Sequence, residues 1–280
     1  MEIQPIIVPY SMGRRDVGVG AGAMPLFTHA VEPVLRGRSN GVEVVSVEPA
    51  TPGTNEIALT FNVNRTVAKH VRTAVDTGKL PLVISGNCNA ALGTLAGISG
   101  EPVGVIWLDA HGDFNTPETT ATAVFDGMPL AIAAGHGWRT LAASIPGFRP
   151  VAPERILHLG ARDLDAPELR AMRASGLEMV IADSFGQNEL RAALQRLHSR
   201  VPRIYLHFDV DVIAREEGWA NEYSPPGGIS SAQVGETLCL IASTFRIAAL
   251  GIASYDPAYD ASGRLLAAVE ALLRGSFFAR

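Results

Sequence analysis

Residues 103–113 read Val-Gly-Val-Ile-Trp-Leu-Asp-Ala-His-Gly-Asp, an apolar run that changes abruptly into acids and a histidine. The apolar part lacks the polar alternation of a half-exposed strand, so it is typical of a strand covered on both faces. Such strands form parallel sheets flanked by helices, and ligands bind beyond their carboxyl ends. This run therefore predicts both a fold and the place of a site.

Similar apolar runs recur along the chain, separated by segments with helical periodicity. The predicted strands are 3–8, 42–47, 80–85, 103–109, 155–159, 177–181, 204–209 and 247–254. The clearest predicted helices are 56–77, 188–200, 231–244 and 263–277. This order predicts the α/β class: a three-layer α/β/α sandwich around a mostly parallel, roughly eight-stranded sheet.

Composition narrows the classes of protein that need to be considered. The 280 residues are 47% hydrophobic and contain no linker, which predicts one domain over residues 1–280. The net charge of −5 is spread along the chain, so we expect no nucleic-acid partner. We expect no membrane span and no signal peptide. Two cysteines, Cys88 and Cys239, do not indicate a disulfide framework, which favours the cytoplasm.

The acids after two predicted strands suggest a metal site. Asp109, His111 and Asp113 alternate, so an extended backbone places them on one side. Asp209 and Asp211 repeat that spacing after a second strand. Oxygen donors with one imidazole suit Mn²⁺, and so many neighbouring carboxylates are costly without cations. The alternative, separate helix caps and loop acids, explains the repeated spacing less well.

Residues 108–120, Leu-Asp-Ala-His-Gly-Asp-Phe-Asn-Thr-Pro-Glu-Thr-Thr, resemble the signature block of the arginase (ureohydrolase) family. Further matches follow in the family's order at 9–22, 160–165, 208–211 and 225–230. The resemblance covers nearly the whole chain. It implies an arginase-like fold and a single arginase-like catalytic domain.

The resemblance also implies a ligand set for manganese. In the family, two Mn²⁺ ions share a bridging hydroxide that attacks the guanidinium carbon of the substrate. By position, Asp109, His111, Asp209 and Asp211 would hold one ion. Asp109, Asp113 and Asp209 would serve the other.

The segment after the third strand departs from the family. The family has Gly-Gly-Asp-His there, whereas residues 85–89 read Ser-Gly-Asn-Cys-Asn. We place Asn89 at the histidine position and predict it as a weaker metal ligand. Cys88 is interpreted as a buried packing residue or as a ligand poorly matched to Mn²⁺. We therefore expect one or two Mn²⁺ ions, the second site being weakened.

Two other positions also differ. Asp126 replaces a histidine that serves proton transfer, and we predict Asp126 and Asp113 as the catalytic residues. Ser254 replaces a glutamate that grips the guanidinium group, and we predict that it contacts substrate. Loss of that carboxylate penalises a cationic guanidinium more than a neutral or hydroxylated group.

Residues for the amino acid end of a substrate match the family. Asn115, Thr120 and Thr122 match the group that holds the α-carboxylate, and Asp165 and Glu168 match those that meet the α-ammonium. We therefore predict hydrolysis of the guanidino-type C–N bond of an L-α-amino acid, either Nω-hydroxy-L-arginine or L-arginine.

Two alternatives remain open. The substitutions favour a catalytically inactive arginase homologue with a binding or regulatory role, although the retained acids argue against it. A third interpretation is an amidinohydrolase for a substrate without the amino acid head, such as agmatine. Family members are often trimers or hexamers, so a homo-oligomer is possible. We expect His207 to point to the opposite side of its strand from Asp209, into the core.

Overall fold

The computed structural model describes residues 2–36, 42–50 and 55–277. Its strands are β1 (Ile3–Val8), β2 (Tyr10–Ser11), β3 (Arg14–Arg15), β4 (Val45–Ser46), β5 (Leu80–Ser85), β6 (Gly104–Leu108), β7 (Ile156–Leu159), β8 (Glu178–Val180), β9 (Arg203–Asp209) and β10 (Arg246–Ala253). Eight of them form a parallel sheet in the order β4-β1-β5-β10-β9-β6-β7-β8. The other two, β2 and β3, form a short antiparallel hairpin.

Helices cover both faces of this sheet. They are α1 (Val19–Leu26), α2 (Glu32–Leu35), α3 (Glu56–Asp76), α4 (Ala90–Gly97), α5 (Pro129–Ala133), α6 (Arg139–Ala143), α7 (Ala166–Ser175), α8 (Gln187–Arg200), α9 (Ser231–Thr244) and α10 (Arg264–Gly275). A π-helical turn, Phe27–Val31, joins the first two. One apolar core holds α1, α2 and α8 to α10 against the sheet, and a second core holds α3 to α7. The predicted three-layer sandwich is confirmed.

The predicted strands are all present, with ends that shift by a few residues. The largest difference is in 42–47, where only Val45–Ser46 pairs with β1. The predicted helix at 231–244 is α9, which begins with a capping box between Ser230 and Gln233. Among the described residues, no helix combines the length and the apolar character needed to cross a membrane.

The last strand of the chain, β10, lies in the middle of the sheet. β10 lies between β5 and β9, and β6 pairs with the other side of β9. Because all these strands are parallel, the residues after Ser85, Leu108, Asp209 and Ala253 meet at one edge. This is the edge at which the polar residues of the sequence accumulate.

Candidate metal centre

The Asp109 carboxylate follows β6 directly and is fixed by residues of its own segment. Its Oδ1 accepts a hydrogen bond from the His111 backbone N–H at 2.7 Å, and its Oδ2 accepts one from Trp107 Nε1 at 3.0 Å. The side chain is buried. Both oxygens are therefore oriented before any ligand binds.

Three of the predicted ligands come together beside a cavity. One ligand atom each of Asp109, His111 and Asp211 lie within 4.8 Å of one another. The His111 Nδ1 atom is 3.5 Å from Asp109 Oδ1 and 3.2 Å from Asp211 Oδ2. Two carboxylates and an imidazole form a donor set that fits Mn²⁺.

The loop after β9 is held by backbone hydrogen bonds. Asp209 Oδ1 accepts from the Asp211 N–H at 2.9 Å, and Asp211 Oδ1 accepts from the Ala110 N–H at 3.3 Å. The Arg162 guanidinium donates to the Asp211 carbonyl at 2.8 Å and to the Pro225 carbonyl at 3.1 Å. These contacts give a structural role to the matching segment at residues 160–165: through Arg162, the loop after β7 is tied to the loop after β9.

Asp113 occupies a strained position. Its φ is +50°, and the buried Oδ2 atom has no hydrogen-bond partner among the described residues. Ser254, on the other side of the centre, has φ +73°. Non-glycine residues with positive φ concentrate at functional sites, where surrounding contacts hold them. The free carboxylate oxygen of Asp113 is therefore available to a cation or a substrate.

The carboxylates perturb one another strongly. Burial, together with the neighbouring Asp211 charge, raises the pKa of Asp109 and raises that of Asp209 well above its ordinary value. Burial also acts on Asp211, but the charge of His111 and its hydrogen bond hold the pKa of Asp211 to about 2. Burial lowers the pKa of His111, but the charges of Asp211 and Asp109 and the hydrogen bonds to both together outweigh burial and raise that pKa well above its ordinary value. A bound cation would relieve this repulsion.

Cys88, and not Asn89, lies against the carboxylates. Its Sγ atom is 3.0 Å from Asp209 Oδ2, whereas the Asn89 amide donates to Asp126 Oδ1 at 3.1 Å. The sequence interpretation put Asn89 at the histidine position, and because its buried Oδ1 atom has no hydrogen-bond partner among the described residues, Asn89 stays a predicted ligand. Matching Ser-Gly-Asn-Cys to Gly-Gly-Asp-His without a shift places Cys88 there, so the structure favours Cys88 over Asn89 as the side chain facing the centre.

His207 is also placed differently from the expectation. One ring nitrogen of His207 lies within 4.8 Å of ligand atoms of Cys88, Asp109 and Asp209. The expectation that His207 points away from Asp209 is wrong because residues two apart in a strand share a side. The His207 side chain therefore lies on the same face of β9 as Asp209, two residues before it in the strand.

The cavity beside the centre has a volume of about 320 Å³. Most of the predicted catalytic and substrate residues line it: Asp113, Asn115, Thr122, Asp126, Asp165, Glu168 and Ser254. Thr120 is not among the lining residues, and its hydroxyl accepts a hydrogen bond from the Ala123 N–H at 3.0 Å. Burial is the main cause that raises the pKa of Asp126 to about 7, with the nearby Asp109 charge adding to it. The same effect raises the pKa of Glu168 to about 7.

Several lining residues were missed in the sequence, among them Asn221 and Tyr223. Asn221 donates to the Ser254 carbonyl at 2.7 Å, and the Tyr223 carbonyl is 3.3 Å from His111 Nε2. Both lie in the long loop between β9 and α9. No spacing or motif marks residues 221–223 within this loop, so only the folded chain shows that they reach the centre.

Comparison with known proteins agrees with this geometry. The family model described as "Arginase family" matches residues 11–277. Bacillus caldovelox arginase is 31% identical over 222 residues, which cover 77% of this chain and 74% of that protein. Entamoeba histolytica arginase is 28% identical over 271 residues, or 90% of each chain. Its crystal structure in complex with L-ornithine superposes with a TM-score of 0.88 at 26% identity, covering 100% of this chain and 98% of that chain.

Proposed function

The chain belongs to the arginase family, and from that membership we propose that it is a manganese-dependent hydrolase of L-α-amino acids. The bond cleaved is the guanidino-type C–N bond of Nω-hydroxy-L-arginine or L-arginine. The observation that carries the proposal is the convergence of Asp109, His111 and Asp211 beside a 320 Å³ cavity. A cavity of this size accommodates one small amino acid.

Asp109, His111, Asp209 and Asp211 would hold the first Mn²⁺ ion. When bound, the ion supplies Lewis acidity that makes water a better nucleophile near neutral pH. The protein fixes the donors: Trp107 and backbone N–H groups orient the carboxylates. Such orientation before binding reduces the reorganisation that the reaction requires.

Asp113 and Asp126 are the acids that we assign to the chemistry itself. Asp113 has an unpartnered carboxylate oxygen among the described residues and faces the cavity. Asp126 is oriented by the Cys88 N–H at 3.0 Å and the Asn89 amide at 3.1 Å. An acid held at the cavity wall can move a proton between water and the leaving nitrogen.

The substrate orientation that we propose follows the cavity lining. Ser254 lies near Cys88, with 3.4 Å between hydroxyl and thiol, so the reacting end of the substrate meets no carboxylate at this position. Glu168 and Asp165 would receive the α-ammonium, and Asn115 the α-carboxylate. The neutral Ser254 favours Nω-hydroxy-L-arginine over L-arginine, because a hydroxyguanidine is less basic and needs a carboxylate partner less.

We also propose one catalytic domain over residues 1–280, a cytoplasmic location and assembly into a homo-oligomer. The family match across residues 11–277 supports the first of these. Cys88 and Cys239 are free, which supports the second because unpaired thiols persist in a reducing compartment. The oligomer rests on the family resemblance.

The test is metal content and turnover of one Mn²⁺-reconstituted sample. Nω-hydroxy-L-arginine, L-arginine and agmatine are offered separately, and ornithine or putrescine is measured. Ornithine release with bound manganese is the expected result. Protein that binds manganese but remains inert with all three compounds would contradict the hydrolase and support the inactive, substrate-binding homologue.

Two variants separate an amino acid substrate from agmatine. We expect Asp165→Ala and Glu168→Ala each to raise the KM for the amino acid at least tenfold. Leu169→Ala, a neighbouring truncation on α7, controls for general effects on this helix. An unchanged KM in both acid variants would show that the amino acid head is not bound there.

A substitution at Ser254 tests the substrate preference. Ser254→Glu restores a carboxylate to the cavity and should raise kcat/KM for L-arginine relative to Nω-hydroxy-L-arginine by about tenfold or more. Ser254→Gln adds similar volume without charge and is the matched control. Equal effects of Glu and Gln on the ratio would contradict a charge-based preference.

A further inference from the structure

A second group of potential metal ligands is more deeply buried than the group of Asp109, His111 and Asp211. It consists of Cys88, Asp109, His207 and Asp209, whose ligand atoms are all within 4.8 Å of one another. The four residues are 1–4% exposed, and Cys88 and Asp209 line the cavity beside the centre. It shares Asp109 with the first group but adds a thiol and a second imidazole.

His207 supplies the observation that points to a ligand. Its Nε2 atom is buried and has no hydrogen-bond partner among the described residues. Its Nδ1 atom is 3.0 Å from the Tyr205 hydroxyl, and its ring stacks on Trp107 with 3.7 Å between centroids. The ring orientation is therefore fixed while one nitrogen is unused, an arrangement that is costly in a protein interior.

The tautomer follows from the Tyr205 contact. If Nδ1–H donates to the Tyr205 oxygen, the Nε2 lone pair is directed toward the group of acids. In a metal-binding histidine, the ring nitrogen that does not contact the metal usually donates a hydrogen bond, which fixes the tautomer and the orientation of the ring. Gly251, beside His207 in the sheet, leaves the space that the Tyr205 hydroxyl occupies.

The Cys88 thiol completes the group from a different strand. It follows β5, while His207 and Asp209 belong to β9, and the Sγ atom is 3.0 Å from Asp209 Oδ2. In the absence of a cation this thiol donates to the carboxylate. Binding of a divalent ion would displace that proton to solvent and leave thiolate, imidazole and carboxylate as ligands.

We propose that Cys88, His207, Asp209 and Asp109 form an inner cation site that takes Zn²⁺ or Co²⁺ in preference to Mn²⁺. The proposal extends the proposed function by naming the ion at the second position. Thiolate and imidazole favour zinc-like ions over manganese, both by ligand softness and by the general order of divalent affinities. Tetrahedral zinc sites place their ligand atoms about 3 to 4 Å apart, so the group needs only a small contraction.

Cobalt titration of the full-length metal-free protein tests the site without reference to activity. We expect one equivalent of Co²⁺ to produce a near-ultraviolet absorption band of sulfur-to-cobalt charge transfer. Zn²⁺ should abolish the band by competition, whereas an equal concentration of Mn²⁺ should not. A wild-type titration to saturation without such a band would overturn the proposal, whatever the variants do.

Substitutions assign the ligands. Cys88→Ser should abolish the band, and His207→Asn should weaken Co²⁺ binding at least tenfold while circular dichroism confirms folding. Cys239→Ser is the matched control, because this exposed cysteine contacts the Gly275 carbonyl far from the centre. Unchanged Co²⁺ affinity in His207→Asn, or a band lost in Cys239→Ser, would contradict the assignment.

These experiments distinguish failure of the inner cation site from failure of the proposed hydrolase activity. An enzyme that releases ornithine with manganese alone and shows no charge-transfer band would retain the hydrolase and lose the inner site. An inert protein with the band would retain the inner site and lose the hydrolase.

Discussion

Glu168 shows how a single buried carboxylate is tolerated near the centre. It lies in the first turn of α7, is 5% exposed and accepts a hydrogen bond from the Phe114 N–H at 2.8 Å. A side chain at Gly112 would overlap this carboxylate, so glycine is required for the close approach. Burial outweighs the hydrogen bond and raises the pKa of Glu168 to about 7.

This pKa predicts how stability depends on pH. The folded-state value near 7 exceeds the unfolded value near 4.5, so the folded protein retains a proton that the unfolded chain releases. The associated stability is present below pH 4.5 and is lost as pH rises to about 7. The free energy of unfolding of metal-free Glu168→Gln, measured relative to the wild type, should therefore be higher at pH 8 than at pH 5. We expect this change to be on the order of 3 kcal/mol.

Urea unfolding at the two pH values measures the effect. Glu189→Gln, on the exposed side of α8, is the control and should show no comparable difference. If the difference between Glu168→Gln and the wild type is the same at pH 5 and pH 8, the carboxyl is not held protonated by burial.

At the level of elements, the adjacent strands β9 and β10 pack closely against each other just before their carboxyl ends, which lie at the metal centre. Gly251 pairs with His207, and a methyl group at Gly251 would overlap the Tyr205 hydroxyl that supports the imidazole. The small residue on one strand therefore sets the orientation of a histidine on the next.

Gly251→Ala should destabilise the protein by about 1–3 kcal/mol, because overpacking forces Tyr205 to move. The same substitution in a Tyr205→Phe background should cost clearly less, since the overlapping oxygen is gone. Denaturant unfolding of the four proteins completes the double-mutant cycle. An equal cost in both backgrounds would place the strain elsewhere.

At the level of the whole molecule, the centre concentrates five aspartates at one edge of the sheet. A cation bound only to the folded chain stabilises it by mass action, by about 2.7 kcal/mol at a free concentration one hundred times Kd. We expect Mn²⁺ to raise the Tm of chelator-treated protein and Asp211→Asn to remove most of that rise. Thermal unfolding with and without manganese checks this, and equal Tm values in the wild type would contradict a metal centre.

The fold was predictable because its signal is local. Uninterrupted apolar runs ending in acids, as at Asp109 and Asp209, identify buried parallel strands and the edge where ligands meet. The site was predictable where it follows those strand ends. Asn89 was chosen over Cys88 because matching a short segment to a family pattern allows a slip of one residue. The packing of β5 places the Cys88 thiol 3.0 Å from Asp209 Oδ2 and leaves the buried Asn89 Oδ1 atom without a hydrogen-bond partner among the described residues.

Other features depend on contacts between distant segments and leave no local pattern. Asn221 and Tyr223 reach the cavity from a loop with no distinctive spacing. The role of Thr120 could not be separated from that of Thr122 by sequence, since both are loop threonines in the same block. In the structure Thr122 lines the cavity and Thr120 does not, although each hydroxyl accepts a hydrogen bond from a backbone N–H.

The central place of β10 has a consequence for synthesis of the chain. As the ribosome releases it, β1, β4 and β5 can form one half-sheet and β6 to β9 another, but no strand pairs with both until residues 246–253 emerge. Cys88 belongs to the first half and Asp209 to the second. Their 3.0 Å contact exists only after the last strand has entered the gap. Assembly of the inner cation site therefore follows the entry of β10, whereas the ligands of the first ion all belong to the second half-sheet, and each nascent chain exposes two open strand edges until β10 enters.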